Sequence, residues 1–153
     1  MPSRTRLLAA APPFAAAVVG GLATDPGSPW FRSLSMPSWY PPPRTFGIVW
    51  TGLYTGTAWA AGEVLTRADS DQRRAFGGAY AVNMVLNAGW SALFFRAHRP
   101  WLATLECAAL SVSTADLVRR AAPVSRSAAV VLTPYAAWAA FATVLSGAIA
   151  RRN

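Results

Sequence analysis

Four long stretches of this chain carry no charged residue. They are Leu7–Thr24, Thr45–Gly62, Ala75–Phe95 and Ser127–Ala150, each bounded by arginine or a carboxylate. A fifth apolar block, Pro100–Val118, is broken only by Glu106 and Asp116. A helix crossing a bilayer needs about 20 mainly apolar residues, and each run is near that length. In lipid every backbone polar group must be satisfied internally, and strands of this apolar density would not alternate as a barrel requires. The pattern predicts an all-α membrane protein: one domain over 1–153, a bundle of five transmembrane helices at about 6–24, 44–65, 74–95, 100–120 and 125–150. The turns near 66–73, 96–100 and 121–126 are short, so neighbouring helices run antiparallel. The long connection, 25–43, holds Trp30, Phe31, Trp39 and Tyr40 followed by Pro41-Pro42-Pro43. Consecutive prolines fix φ and donate no backbone hydrogen bond, so this loop is expected to be ordered without being helix or strand.

Helical spacing then sorts the polar and aromatic positions. Phe46, Trp50, Tyr54 and Thr57 fall on one face of the second helix. Asn83, Asn87, Trp90 and Phe94 do so on the third, and Trp138, Ala142 and Ser146 on the fifth. Asparagine facing lipid is unfavourable, so Asn83 and Asn87 should turn into the bundle and hydrogen-bond there. Trp50, Trp90 and Trp138 lie deep enough to line a pocket, whereas Trp30, Trp39 and Trp101 also fit an interfacial belt. Glu106 is expected to hydrogen-bond a neighbouring helix or loop, or to reach the interface. Small residues recur every four positions at Gly52, Gly56 and Ala60, and at Gly77, Ala81, Val85 and Gly89. Such stripes let helices approach closely, within one bundle or between two copies.

Composition agrees with a membrane class. The 153 residues are 54% hydrophobic and 13% charged, with mean hydropathy +0.29. The net charge of +8 comes from 14 arginines and no lysine. They stand at segment ends, which suits membrane flanks and not a nucleic-acid stripe. Eight on the N-terminal side against six opposite barely orient the protein. Arg4 and Arg6 followed by Leu7–Val19 and Gly21-Leu22-Ala23 fit a cleaved leader or a first membrane helix, and Pro12-Pro13 suits neither well. With one cysteine, Cys107, no intrachain disulfide exists. One histidine, His98, in an arginine-rich turn is expected to be solvated and interfacial, and no metal site is expected. No Ser/His/Asp set, HExxH, CxxC or phosphate loop is present, so no committed enzyme is indicated.

Four groups of residues carry a resemblance to a known family. They are Trp30-Phe31 with Leu34 and Pro37-Ser38-Trp39-Tyr40-Pro41-Pro42; Gly47 and Trp50-Thr51-Gly52-Leu53-Tyr54; Leu86-Asn87 with Trp90-Ser91 and Phe94-Phe95; and Pro134-Tyr135, Trp138, Phe141-Ala142-Thr143 and Leu145. The chain resembles, over nearly its whole length, the translocator protein/tryptophan-rich sensory protein family, TspO/MBR. That resemblance makes Leu7–Thr24 the first membrane helix. It implies a multi-pass membrane protein, in a bacterial member that of the cell membrane, often a homodimer. It further implies an intrabundle pocket for porphyrins, protoporphyrin IX or haem, with no obligatory cofactor. For some members it implies sterol, isoquinoline or benzodiazepine ligands. Phe46, Trp50, Tyr54, Asn87, Trp90, Ser91, Phe94, Trp138 and Ala142 would be pocket wall, and Trp30, Phe31 and Trp39 lid. The role implied is sensing or regulation of tetrapyrrole or stress responses. A transporter of tetrapyrroles or sterol-like amphiphiles stands as an alternative, as does a light-dependent porphyrin-degrading enzyme using Trp50 and Trp138. Met36 stands where the family commonly has lysine, Ile48 where proline is frequent, and Ser146 where many members have asparagine. The animal members' cholesterol-recognition segment is not matched by Ala148-Ile149-Ala150-Arg151-Arg152.

Overall fold

Prolines and short polar caps set where the helices start. The computed structural model of the chain describes the backbone of residues 2–153 and the side chains of residues 4–153. It holds α1 (Pro2–Ala23), α2 (Pro29–Ser33), α3 (Pro43–Arg67), α4 (Ser70–Ser91) running into a π-helical turn at Ala92–Arg96, α5 (Pro100–Ala121) and α6 (Arg126–Ala150). No strand occurs among the described residues. Pro29, Pro43 and Pro100 open three of these helices, where a missing N–H costs nothing. Asp69 opens α4 by a capping box: its side chain accepts from Gln72 N, and Gln72 reaches back to the Asp69 N–H.

Two expected boundaries move. The third expected helix, α4, starts at Ser70 and not near 74, because the capping box draws the polar Asp71-Gln72-Arg73-Arg74 into its first turns. The 25–43 connection is not loop throughout. Ser28 accepts from Phe31 N at 3.2 Å and caps the five-residue α2 within it. Among the described residues there are thus five long α-helices of 22 or 25 residues and one short one.

Pro12 and Pro13 sit inside α1 without ending it. A proline leaves the carbonyl four residues earlier without its helical partner. For Pro13 that carbonyl belongs to Ala9, and Tyr80 Oη donates to it at 2.8 Å from α4. The helix end is held too: Arg96 Nη2 donates to Leu22 O at 2.7 Å.

α5 and α6 form the most extensive helix pair; α1 packs on α3 and α4, α4 on α5, and α3 on α6. The bundle's two ends are filled differently. One, built from Ala60, Ala61, Val64, Phe76, Leu117, Ala121 and Ala128, is largely alanine. The other is aromatic, with Phe94 and Phe95 at its centre and Trp30, Phe31, Tyr40, Phe46 and Trp90 against them. The outer face is apolar: Phe14 and Ile48 are each 72% exposed, and Leu105, Val85 and Val112 also point outward. So continuous an apolar exterior marks a surface made for lipid or protein. By length and hydropathy, segments in α1, α5 and α6 are apolar enough to cross a membrane. α3 and α4 are the more polar helices, and among their polar residues Thr57, Asn83 and Asn87 are buried.

Candidate functional site

A cavity of about 390 Å³ lies between the helices at the aromatic end. α3 contributes Phe46, Gly47, Trp50 and Tyr54; α4 and the π turn contribute Asn87, Trp90, Ser91, Phe94 and Phe95. α6 supplies Trp138, Ala139, Ala142, Leu145, Ser146 and Ile149, and α5 adds Cys107 and Leu110. α1 closes the remaining side with Ala17, Gly20, Gly21 and Thr24, and the connection lays Phe31 and Tyr40 over it. Small and large residues alternate around the wall, so the aromatics hold the helices apart and the glycines leave the space open. A Cβ on Gly47 or Gly21 would meet nothing within 4 Å, and one on Gly20 would stand 3.5 Å from Ser91 Oγ.

The rings are paired. Trp50 and Tyr54 stack with centroids 5.3 Å apart. Trp90 stacks on Phe94 at 5.2 Å with the planes only 14° apart. Trp138 meets Phe46 edge-on at 5.9 Å and Phe141 at 5.1 Å. The π turn matters here. Its wider winding turns the consecutive residues Phe94 and Phe95 both inward, where a regular helix would splay them further apart.

Of the twelve side chains expected at a pocket, ten border this cavity and two do not. Trp30 stacks on His98 at 4.3 Å and meets Phe94 edge-on at 5.4 Å. It braces the lid from behind. Trp39, 44% exposed, touches Phe141 edge-on at 6.0 Å. Tyr40, next in sequence, takes the wall position, and burial raises its phenol above the ordinary tyrosine value. His98 remains exposed, with its ring on Trp30 and φ at 53°. The α1 wall and Ser146 were not on the expected list. The trace of the first in the sequence is Gly20-Gly21 in an alanine-rich helix.

The polar groups behind the wall are joined. Tyr54 Oη donates to Asn87 Oδ1 at 2.6 Å, and Asn87 Nδ2 donates to Tyr135 Oη at 3.0 Å. Tyr135 Oη donates to Asn83 Oδ1 at 2.9 Å. Asn83 Nδ2 donates to Ser113 Oγ at 3.1 Å and Thr114 Oγ1 at 3.0 Å. Both asparagines therefore face inward and are bonded. On the other wall Trp90 Nε1 donates to Ser146 Oγ at 3.3 Å, and Cys107 Sγ lies 3.8 Å from Ala139 O as a weak donor.

Glu106 departs from expectation. Its two carboxylate oxygens are buried and make no hydrogen bond among the described residues. They occupy a niche left by Gly89, where a Cβ would be 3.8 Å from Oε1. A different carboxylate, Glu63, is buried with partners: Arg6 Nη2 at 3.2 Å and Arg67 one turn on. The glycine stripe on α3 serves intrachain packing in part. Gly56 would place a Cβ 3.2 Å from Val131, and Gly52 faces open space. Among the described residues no cluster of His, Cys, Asp or Glu could hold a metal ion.

The sequence profile of the TspO/MBR family matches residues 9–152. The chain belongs to the TspO/MBR family. It is similar to the tryptophan-rich protein TspO of Bacillus cereus, with 30% identity over 78% of each chain. It is similar to the human translocator protein, with 32% identity over 83% of this chain and 76% of that one. The tryptophan-rich sensory protein of Cereibacter sphaeroides is 31% identical over 81% of this chain and 77% of its own. TspO/MBR proteins are membrane-embedded, and the apolar spans of α1, α5 and α6 agree with that.

Proposed function

We propose that the protein binds a porphyrin, protoporphyrin IX or haem, in the aromatic cavity and acts as a membrane sensor or regulator of tetrapyrrole or stress responses. All five long helices cross the bilayer in this reading, with α3 and α4 shielded by the more apolar α1, α5 and α6. The observation that carries it is the pair of ring stacks on facing walls, Trp50–Tyr54 and Trp90–Phe94, bordering one cavity. A flat aromatic ligand gains from offset stacking and edge contacts on such walls. The volume falls in the range of about 300–1,000 Å³ common for small-molecule sites. Trp138 supplies a further ring edge, and Ser91, Ser146 and Asn87 supply the few polar groups that would orient it. The sensory role is taken from the name of the Cereibacter sphaeroides relative.

The test is tryptophan quenching by protoporphyrin IX in the dark, comparing the wild type with Trp50→Phe plus Trp138→Phe. The reading expects the quenching to fall sharply in the double variant. Equal quenching in both would contradict it.

A further inference from the structure

The chain of hydrogen bonds behind the cavity wall has a direction, and one residue outside the cavity fixes it. We propose that Thr114 on α5 sets that direction, so that the Tyr54 hydroxyl meets a ligand as a hydrogen-bond acceptor and the site favours flat ligands carrying an N–H donor. The proposal rests on the reading of the cavity as the ligand site.

The argument starts at the far end. Thr114 is fully buried, and its one hydroxyl hydrogen goes to Leu110 O at 2.8 Å. Thr114 Oγ1 can then only accept. An asparagine side chain has a donor end and an acceptor end, so Asn83 must turn its amide nitrogen to Thr114, at 3.0 Å. That leaves Asn83 Oδ1 facing Tyr135, which must donate to it at 2.9 Å. With its only hydrogen spent, Tyr135 Oη can accept but not donate towards Asn87. Asn87 must therefore present its nitrogen, at 3.0 Å. Its Oδ1 is left for Tyr54, whose hydroxyl hydrogen is consumed at 2.6 Å. What Tyr54 has left on the cavity wall is lone-pair density. Each link is forced by the one before it, and aligned bonds of this kind polarise one another. Reversing the chain would need Thr114 to give up the Leu110 carbonyl, leaving a buried acceptor short of its second donor. Asn87 keeps one further N–H, so the inference concerns the Tyr54 position and not the whole wall.

Thr114 is a positioning residue, and its test needs a readout that a packing defect would not imitate. That readout is a ratio of affinities for two ligands of one shape. Carbazole and fluorene share a tricyclic frame and differ by N–H against CH₂. Their saturable binding to the full chain in detergent can be measured by equilibrium dialysis, with empty micelles subtracted. One net hydrogen bond corresponds to about five-fold in affinity. Carbazole is expected to bind about five-fold tighter to the wild type, and about equally with fluorene to Tyr54→Phe. Thr114→Val should bring the ratio towards one, Thr114→Ser should restore it, and Ser113→Ala should leave it unchanged. If Thr114→Val does not fold, Thr114→Cys keeps the volume and weakens the acceptor. A wild-type ratio near one, a ratio that survives Tyr54→Phe, or no saturable binding of either tricycle would overturn the proposal. Saturable protoporphyrin IX binding alongside a ratio near one would sink this inference alone. A five-fold ratio without porphyrin binding would sink only the porphyrin reading.

Discussion

The two ends of the bundle solve one packing problem in opposite ways. At the end where α3 and α5 finish and α4 and α6 begin, alanines let the helix backbones come close. Ala60, Ala121 and Ala128 are fully buried, and none of them lines the aromatic-end cavity. At the other end large rings fill the interface, yet space remains. Rings hold neighbouring helices apart, and glycines or alanines set between them leave gaps that no neighbour reaches. Close packing follows from matched small side chains and not from side-chain bulk. The cavity thus forms where the chain uses its largest residues.

That contrast can be attacked from both ends. The largest effect is expected for Phe94→Ala. This ring touches Trp30, Phe31, Trp90 and Phe95, and its loss should cost about 3–5 kcal/mol by thermal unfolding in detergent. A small cost would mean that the aromatic end is not propped by its rings. Next comes a matched pair on α6. Ala128→Leu forces extra volume into the alanine end and should cost about 1–3 kcal/mol. Ala142→Leu makes the same change beside the cavity and should leave the unfolding midpoint nearly in place. Equal costs at both positions would erase the distinction between the ends. Asn83→Ala should cost about 1–3 kcal/mol, since Tyr135 and Thr114 both lose a buried partner. The smallest effect is expected for Trp39→Ala, within about 0.5 kcal/mol, because that ring is half in solvent and has one edge contact.

Much of this was readable from residue order. Four charge-free runs and the apolar block 100–118 fall on the five long helices, and helical spacing puts Trp50 with Tyr54 (i, i+4) and Asn87 with Trp90 (i, i+3) on inward faces. The misses have local causes. The start of α4 is hard to read because the charged residues 71–74 look like a break between helices, whereas Asp69 and Gln72 form the cap that brings them into the helix. The α1 prolines looked disruptive because the compensating hydroxyl of Tyr80 comes from 71 residues away. Trp39 and Tyr40 are adjacent, and a loop has no fixed period from which to tell which ring turns inward. Glu106 was expected to find a partner. Its niche depends on Gly89 of another helix, which no spacing within α5 reveals. The inward wall of α1 was missed because glycines carry no amphipathic signal.

The most direct test of the cavity as the ligand site is a dark titration of protoporphyrin IX into wild type and Ala142→Leu, followed by tryptophan quenching and the Soret shift. The account predicts saturation near one porphyrin per chain for the wild type, and loss of the saturable part in a variant that unfolds at the same temperature. Linear, unsaturable quenching of equal slope in both proteins would contradict it.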